Sequence, residues 1–410
     1  MRSAFTHILG STALAQLLLL ASTPILMRFY DQATFGVFGI ASAIALTGSV
    51  LVSLRLDHSL HLSAEPEQLL GSALQVIFLL SLVALIPVVA QGVLSGTDHA
   101  AYIYLFATSH AVWTSTLMFL NLRHRYRLIA CQNLLPVVIF LAGALGVPLL
   151  ASDNSAGATQ PSMLDPLAGD NALLYWQALA YAVSALVGCW AVRRDIRFGP
   201  FKQLGRVVRA HRDDVRYLVP ARLLSIVSAN MTVFGSAWLF GPELTGLVVV
   251  ANRISRAPVR VLGNGMNNVL RAAVSRPESL SATFGRVGTI ALSTALLAVT
   301  VVLLLPDALY VRLVGNDWGG LAPVLLIATV AAGFQLMAGS VTSLLDTYAK
   351  RANLQINIAL FAGGAIAILT AALIDLSLLG YLWVGCTASA IVHATSFYLS
   401  YGVVRREQRQ

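Results

Sequence analysis

Arg253, Arg256 and Arg260 stand three and four residues apart in a stretch, residues 243–271, that is otherwise apolar enough to cross a membrane. At about 100° per residue they share one helix face with Asn264, Asn267, Asn268 and Arg271. The opposite face carries Leu247, Val248, Val249, Ile254 and Val261. An arginine facing lipid at a helix centre costs about 2.5–3.5 kcal/mol, so three together must face protein or water. Guanidinium forks match phosphate oxygens in pairs, and Arg253 lies about ten residues past Glu243, roughly 15 Å into a helix at about 1.5 Å per residue. The chemistry these residues predict is recognition of a phosphate or pyrophosphate inside a cationic, hydrated cavity. Arg256 and Arg260 can alternatively extend toward the headgroups, Arg271 marks an interface, and Pro258 is expected to kink the helix.

The elements that hold such a face must themselves sit in a membrane. The chain has 410 residues, of which 57% are hydrophobic and only 11% charged, with a mean hydropathy of +0.76. Soluble proteins carry about 25% charged residues, so the composition describes a polytopic membrane protein. Apolar windows predict twelve spans, at approximately 8–27, 35–56, 70–94, 100–122, 128–150, 172–192, 217–240, 244–270, 286–306, 321–345, 353–374 and 378–403. The first follows Arg2 closely and is long enough to span, so an uncleaved helix is expected there. The net charge is +9, and 21 of the 27 Lys and Arg fall on the side that holds both termini. Both termini are therefore expected in the cytoplasm.

Two connections are long. Residues 151–171 form a Ser, Asp, Pro and Gly-rich outer loop without Lys, Arg or His. The inner connection, residues 193–216, sets Phe201, Leu204, Val207 and Val208 at helical spacing among basic residues, as in an amphipathic helix resting on an anionic leaflet. It divides the chain into 1–192, with spans one to six, and 217–410, with spans seven to twelve. The blocks echo one another: Tyr30, Gly36 and Ala41 correspond to Phe240, Gly246 and Ala251 at an offset of 210, and Leu120, Asn121 and Arg125 to Leu345, Asp346 and Lys350 at 225. A parallel duplication of six spans follows.

The sequence excludes several chemistries. Cys131, Cys189 and Cys386 fall in separate regions with no metal-ligand spacing, so neither a disulfide framework nor a metal site is expected. Gly263 and Gly265 follow no strand, and there is no P-loop, HExxH or GxSxG motif. No cofactor and no catalysis are expected. Arg222 precedes Ser225, Ser228, Thr232 and Ser236 at helical spacing and is a candidate second cavity wall, although small hydroxyl residues are ordinary packing choices in membranes. His110 and His393 stand alone among Ser and Thr, more consistent with packing than with a proton relay.

Several stretches resemble a known family. Pro24-Ile-Leu-Met-Arg28-Phe-Tyr30-Asp31-Gln-Ala-Thr-Phe35-Gly36 is similar to the first-span exit of bacterial polysaccharide-transport proteins. Ser53-Leu-Arg55-Leu-Asp57-His-Ser-Leu60 resembles their Leu-Arg-x-Glu-x-Ala stretch, with Asp57 in place of Glu. Gly246, Ala251-Asn252-Arg253-Ile254 and Pro258 resemble their eighth span, and Val314-Gly315-Asn316-Asp317-Trp318 their Gly-x-x-Trp outer loop. Arg256 and Arg260 make this eighth span more basic than is usual. The family is that of O-antigen type, lipid-linked oligosaccharide flippases in the multidrug/oligosaccharidyl-lipid/polysaccharide exporter superfamily. The resemblance implies an all-α protein of twelve transmembrane helices in two six-helix lobes around a central cavity.

It also implies an undecaprenyl-pyrophosphate-linked oligosaccharide as substrate, moved from the cytoplasmic to the periplasmic leaflet of the bacterial inner membrane by alternating access. Expected pyrophosphate ligands are Arg253, Arg256, Arg260, Arg222, Arg55 and Arg28, with Asn264 and Asn267 lining the cavity. Arg28 and Arg55 have an interfacial alternative, with Asp31 and Asp57 as neighbours. Coupling to H+, Na+ or the membrane potential is left open. Anionic lipids are expected partners, with a polysaccharide polymerase and glycosyltransferases as further ones. Two rivals remain: a multidrug exporter of the same superfamily, which would need an acidic site within a span, and a polysaccharide polymerase or ligase, which would need a reactive outer loop.

Overall fold

Long apolar segments with no water to satisfy their peptide groups must close their hydrogen bonds internally. Accordingly, among the residues described in this computed structural model, every regular element is a helix. Those residues are 2–60, 63, 65–95, 99–154, 171–274, 277–306, 309–310, 312, 315, 318–342, 344–345 and 349–407. The α-helices are α1 Arg2–Phe29, α2 Gln32–Ser53, α3 Leu56–Ser59, α4 Pro66–Ser95, α5 His99–Leu122, α6 Tyr126–Asn154 and α7 Ala172–Val192. They continue as α8 Leu204–Ala210, α9 Arg212–Ala229, α10 Met231–Val274, α11 Pro277–Leu304, α12 Leu321–Gly339, α13 Lys350–Leu373 and α14 Leu378–Glu407. Most of the loop at 151–171 lies outside the described residues.

Eleven described segments are long and apolar enough to cross a membrane, where twelve were expected. The difference lies in spans seven and eight. The expected seventh span runs through α9 and the first turns of α10 but is interrupted at Asn230, and α9 is too rich in Arg and Asp to qualify on its own. Helix α10 is not straight: Gly241 (φ 83°, ψ 177°) adopts a backbone geometry that a side chain would forbid. Twenty residues of straight helix would separate Thr232 from Asn252 by about 30 Å, yet Asn252 Nδ2 donates to Thr232 Oγ1 at 3.3 Å. Residues 231–240 and 242–274 are thus antiparallel arms of a hairpin. Pro242 opens the second arm, where its missing N–H costs nothing. Pro258 causes no non-helical break.

The chain divides into two compact units, residues 1–22 with 38–226 and residues 23–37 with 227–410. In the first, α5 packs along α7, α7 along α6 and α4 along α5. Small residues let these helices approach closely: a Cβ on Gly188 would meet Gln132 and Thr116, and one on Gly143 would meet the Trp176 ring. In the second, α12 lies against α10, α11 and α14, and a core of Met266, Leu270, Phe284, Val287, Leu336 and Leu344 closes one end.

Segment 23–37 packs inside the second unit. Trp318 Nε1 donates to the Met27 carbonyl at 3.0 Å, and the Phe35 ring meets Trp318 edge-on at 5.4 Å. A Cβ on Gly36 would strike the Pro242 carbonyl, and one on Gly246 would strike that of Gln32. These contacts are reciprocal: 242 is 32 advanced by 210, and 246 is 36 advanced by 210. The offset seen in sequence is therefore also a two-fold relation between the turn after α1 and the turn at Gly241.

Candidate functional site

The arm 242–274 of α10 buries Leu247, Val248, Val250 and Ala251, and α12 packs against it. That packing fixes the helix rotation and leaves Arg253 and Arg256 half-buried and Arg260 exposed. Arg260 stands near enough to both Arg253 and Arg256 for its charge to act on each of them. Such a cluster gains from any anion that lies across it.

The three arginines are not equivalent. Arg256 Nη2 donates to the Ala229 carbonyl at 2.6 Å. That carbonyl ends α9 just before the interruption at Asn230, where helical hydrogen bonding is incomplete. One edge of the Arg256 guanidinium is thus committed to joining the hairpin arms, and its charge is also felt by His393 on α14. Arg260 faces outward. Asn267 is half-buried on the same helix, while the side chains of Asn264, Asn268 and Arg271 lie outside the described part of the structure.

The other candidates are distributed. Arg28 is exposed, and its Nη2 donates to the Arg312 carbonyl at 3.2 Å within the second unit. Arg222 lies in the first unit, exposed on α9, and its charge is felt by His110. His110 Nδ1 lies 3.2 Å from Ser49 Oγ, and its ring sits among Phe106, Trp113 and Tyr181.

Arg55 stands beside Asp57, as its interfacial reading expected, but in a backbone geometry that the sequence did not disclose. Leu54 and Arg55 both take left-handed backbone angles (φ 46° and 56°), which for non-glycine residues cost of order 1–3 kcal/mol each. Arg55 Nη1 then stands 3.5 Å from Asp57 Oδ2, and the Asp57 side chain is only 2% exposed. Neither Asp57 carboxylate oxygen nor Arg55 Nε has a hydrogen-bond partner. Leu56, next in the chain, is fully buried beside Ala73, Val76 and Leu204. The structure therefore brings Arg253, Arg256 and Arg260 together on one helix and pairs Arg55 with a buried carboxylate.

Among the described residues there is no group of three or more His, Cys, Asp or Glu able to hold a metal ion. No protein-family model matches the chain, and no curated protein matches it. Solved structures do match over nearly its full length. An outward-facing multidrug resistance MATE family transporter of the MOP superfamily aligns at 13% identity and TM-score 0.62, covering 99% of this chain and 96% of that one. A MOP superfamily transporter from Pyrococcus furiosus, described as having a binding pocket of reverse polarity that suggests a different function, aligns at 14% identity and TM-score 0.60 over 99% and 96%. The lipid II flippase MurJ, in an inward closed conformation, aligns at 11% identity and TM-score 0.60 over 97% and 89%. The chain is an all-helical, multi-pass membrane protein with the fold of MOP-superfamily transporters.

Proposed function

We propose that this protein is a flippase that carries an undecaprenyl-pyrophosphate-linked oligosaccharide from the cytoplasmic to the periplasmic leaflet of a bacterial inner membrane. The observation that carries the reading is the trio Arg253, Arg256 and Arg260, clustered on one face of α10 and buried to different degrees. Pyrophosphate is the group that such a cluster would hold. Arg253 and Arg260 bind it, Arg256 supports them from its bond to Ala229, and the glycan occupies the hydrated space beside them while the polyprenyl tail stays in lipid. The likeness to MurJ supports a lipid-linked substrate, and alternation between two access states is the mechanism proposed with it.

A second reading is carried by the MATE neighbours, one of them described as a multidrug resistance transporter. The polarity of the site favours the first reading, because a cationic drug gains nothing from three arginines. The test is complementation of a flippase-null strain. Arg253→Ala abolishes complementation while the protein remains inserted at normal abundance, and Arg253→Lys restores part of it. Charge-assisted hydrogen bonds contribute about 1.5–3 kcal/mol, so the Ala variant loses roughly 10- to 100-fold in flux. Full transport by the Ala variant, or drug hypersensitivity of the deletion strain with intact glycan export, removes the assignment.

A further inference from the structure

The connection between α7 and α9 behaves differently from an amphipathic helix that dips its apolar side into lipid. Leu204 of α8 is 8% exposed and packs with Leu56, Ala73 and Val76, while Val208 joins the same core and Val207 a neighbouring one. The apolar side of α8 is therefore consumed by the protein. The preceding loop is clamped as firmly. Arg197 N–H donates to the Glu67 carbonyl at 3.3 Å, Gln75 Nε2 donates to the Gly199 carbonyl at 2.8 Å, and the Arg197 carbonyl fills the space that a Cβ on Gly71 would need.

What faces outward from this clamped segment is cationic and aromatic. Arg193, Arg194, Arg197, Lys202, Arg206 and Arg209 are exposed. Phe198 and Phe201 are 65% and 56% exposed, although their neighbours on the other side are buried. The segment lies level with the end of one membrane span, at Val192, and the start of another, at Pro66. Trp190, in the last turn of α7, is itself exposed and stacks under Arg193 at 4.6 Å. Aromatic rings with cations at a span terminus belong to the headgroup layer.

We infer that the outer face of residues 193–209 is a rigid docking surface for anionic phospholipid, with the arginines on headgroup phosphates and Phe198 and Phe201 set among the upper acyl chains. Cations near an anionic bilayer surface attract its headgroups additively, and the two rings add apolar burial. Because the segment is already fixed to α3 and α4, lipid binding requires no ordering of the chain. This inference is independent of the transported substrate.

The test uses the full chain in nanodiscs of phosphatidylcholine and phosphatidylglycerol in equal parts, with native mass spectrometry of the lipids that remain bound. The wild type retains phosphatidylglycerol in preference. Neutralising Arg194, Arg197, Arg206 and Arg209 together to Gln lowers that preference by about tenfold or more. The four-fold Lys variant keeps it, and Arg405→Gln with Arg406→Gln, at the end of α14, leaves it unchanged. No preference in the folded wild type, or an equal loss in the Arg405/Arg406 control, overturns the docking surface in favour of a diffuse effect of net charge. If the Gln variant does not fold, Phe198→Ala with Phe201→Ala provides the second measurement. It lowers total retained lipid while leaving the preference, and unchanged retention rejects the aromatic contact.

Discussion

The cations of α10 and the cation at Arg55 meet the cost of a charge near lipid in opposite ways. Arg253, Arg256 and Arg260 are spaced by ordinary helix geometry, which gathers like charges on one face. Arg55 is drawn toward a carboxylate by two consecutive residues in strained, left-handed conformations. The first arrangement is poised to gain from a polyanion, whereas the second is close to neutral as it stands. A pyrophosphate placed against Arg55 would first have to outcompete Asp57. The comparison supports the proposal that substrate binds on α10, and it makes Arg55 a residue whose availability depends on its neighbour.

The sharpest way to break this contrast is at Arg55. Removing one partner of a buried ion pair leaves the other uncompensated, so Arg55→Ala lowers unfolding stability by about 3 kcal/mol, measured by denaturant or thermal unfolding in detergent. The double variant Arg55→Leu with Asp57→Leu recovers most of the loss. Unchanged stability of the single variant would reject the Arg55–Asp57 pair as a stabilising contact.

The second perturbation separates two arginines on α10. Arg256→Gln weakens the charged bond to Ala229 and lowers stability by about 1.5 kcal/mol. Arg260→Gln leaves the melting temperature unchanged and lowers complementation by about tenfold. Equal melting curves for the two variants would show that Arg256 has no structural share. The smallest effect is expected at Asn252→Ala, which removes a neutral bond between the hairpin arms and costs about 0.5–1 kcal/mol. A larger loss would mean that this bond, and not the Gly241 turn, holds the reversal.

Much of this was legible before folding was considered, because period and composition dictate it. The face shared by Arg253, Arg256 and Arg260 needed only the helical repeat, and the helices needed only runs of apolar residues. The correspondence of Gly36 with Gly246 was faint in sequence. In the structure it is explained by two turns whose backbones meet so closely that neither tolerates a side chain. Asp57 was legible as a neighbour of Arg55, but the backbone that pairs them was not, because nothing about Leu54 or Arg55 announces a left-handed conformation. Nor could hydropathy show that α8 spends its apolar side on the protein, since a helix packed on α4 and one lying in lipid share the same pattern. The break at Asn230 carries no Gly or Pro, and only the capture of the Ala229 carbonyl by Arg256 reveals its use.

The hairpin at Gly241 has a consequence for biogenesis. Threaded alone from the translocon into lipid, the arm 242–274 would carry roughly 2.5–3.5 kcal/mol for each centrally placed arginine. Its partner arm and the end of α9 precede it in synthesis, and they present the carbonyl and hydroxyl that Arg256 and Asn252 need. The tight reversal lets both arms leave the channel side by side, so the arginine-bearing arm need not enter the bilayer unaccompanied.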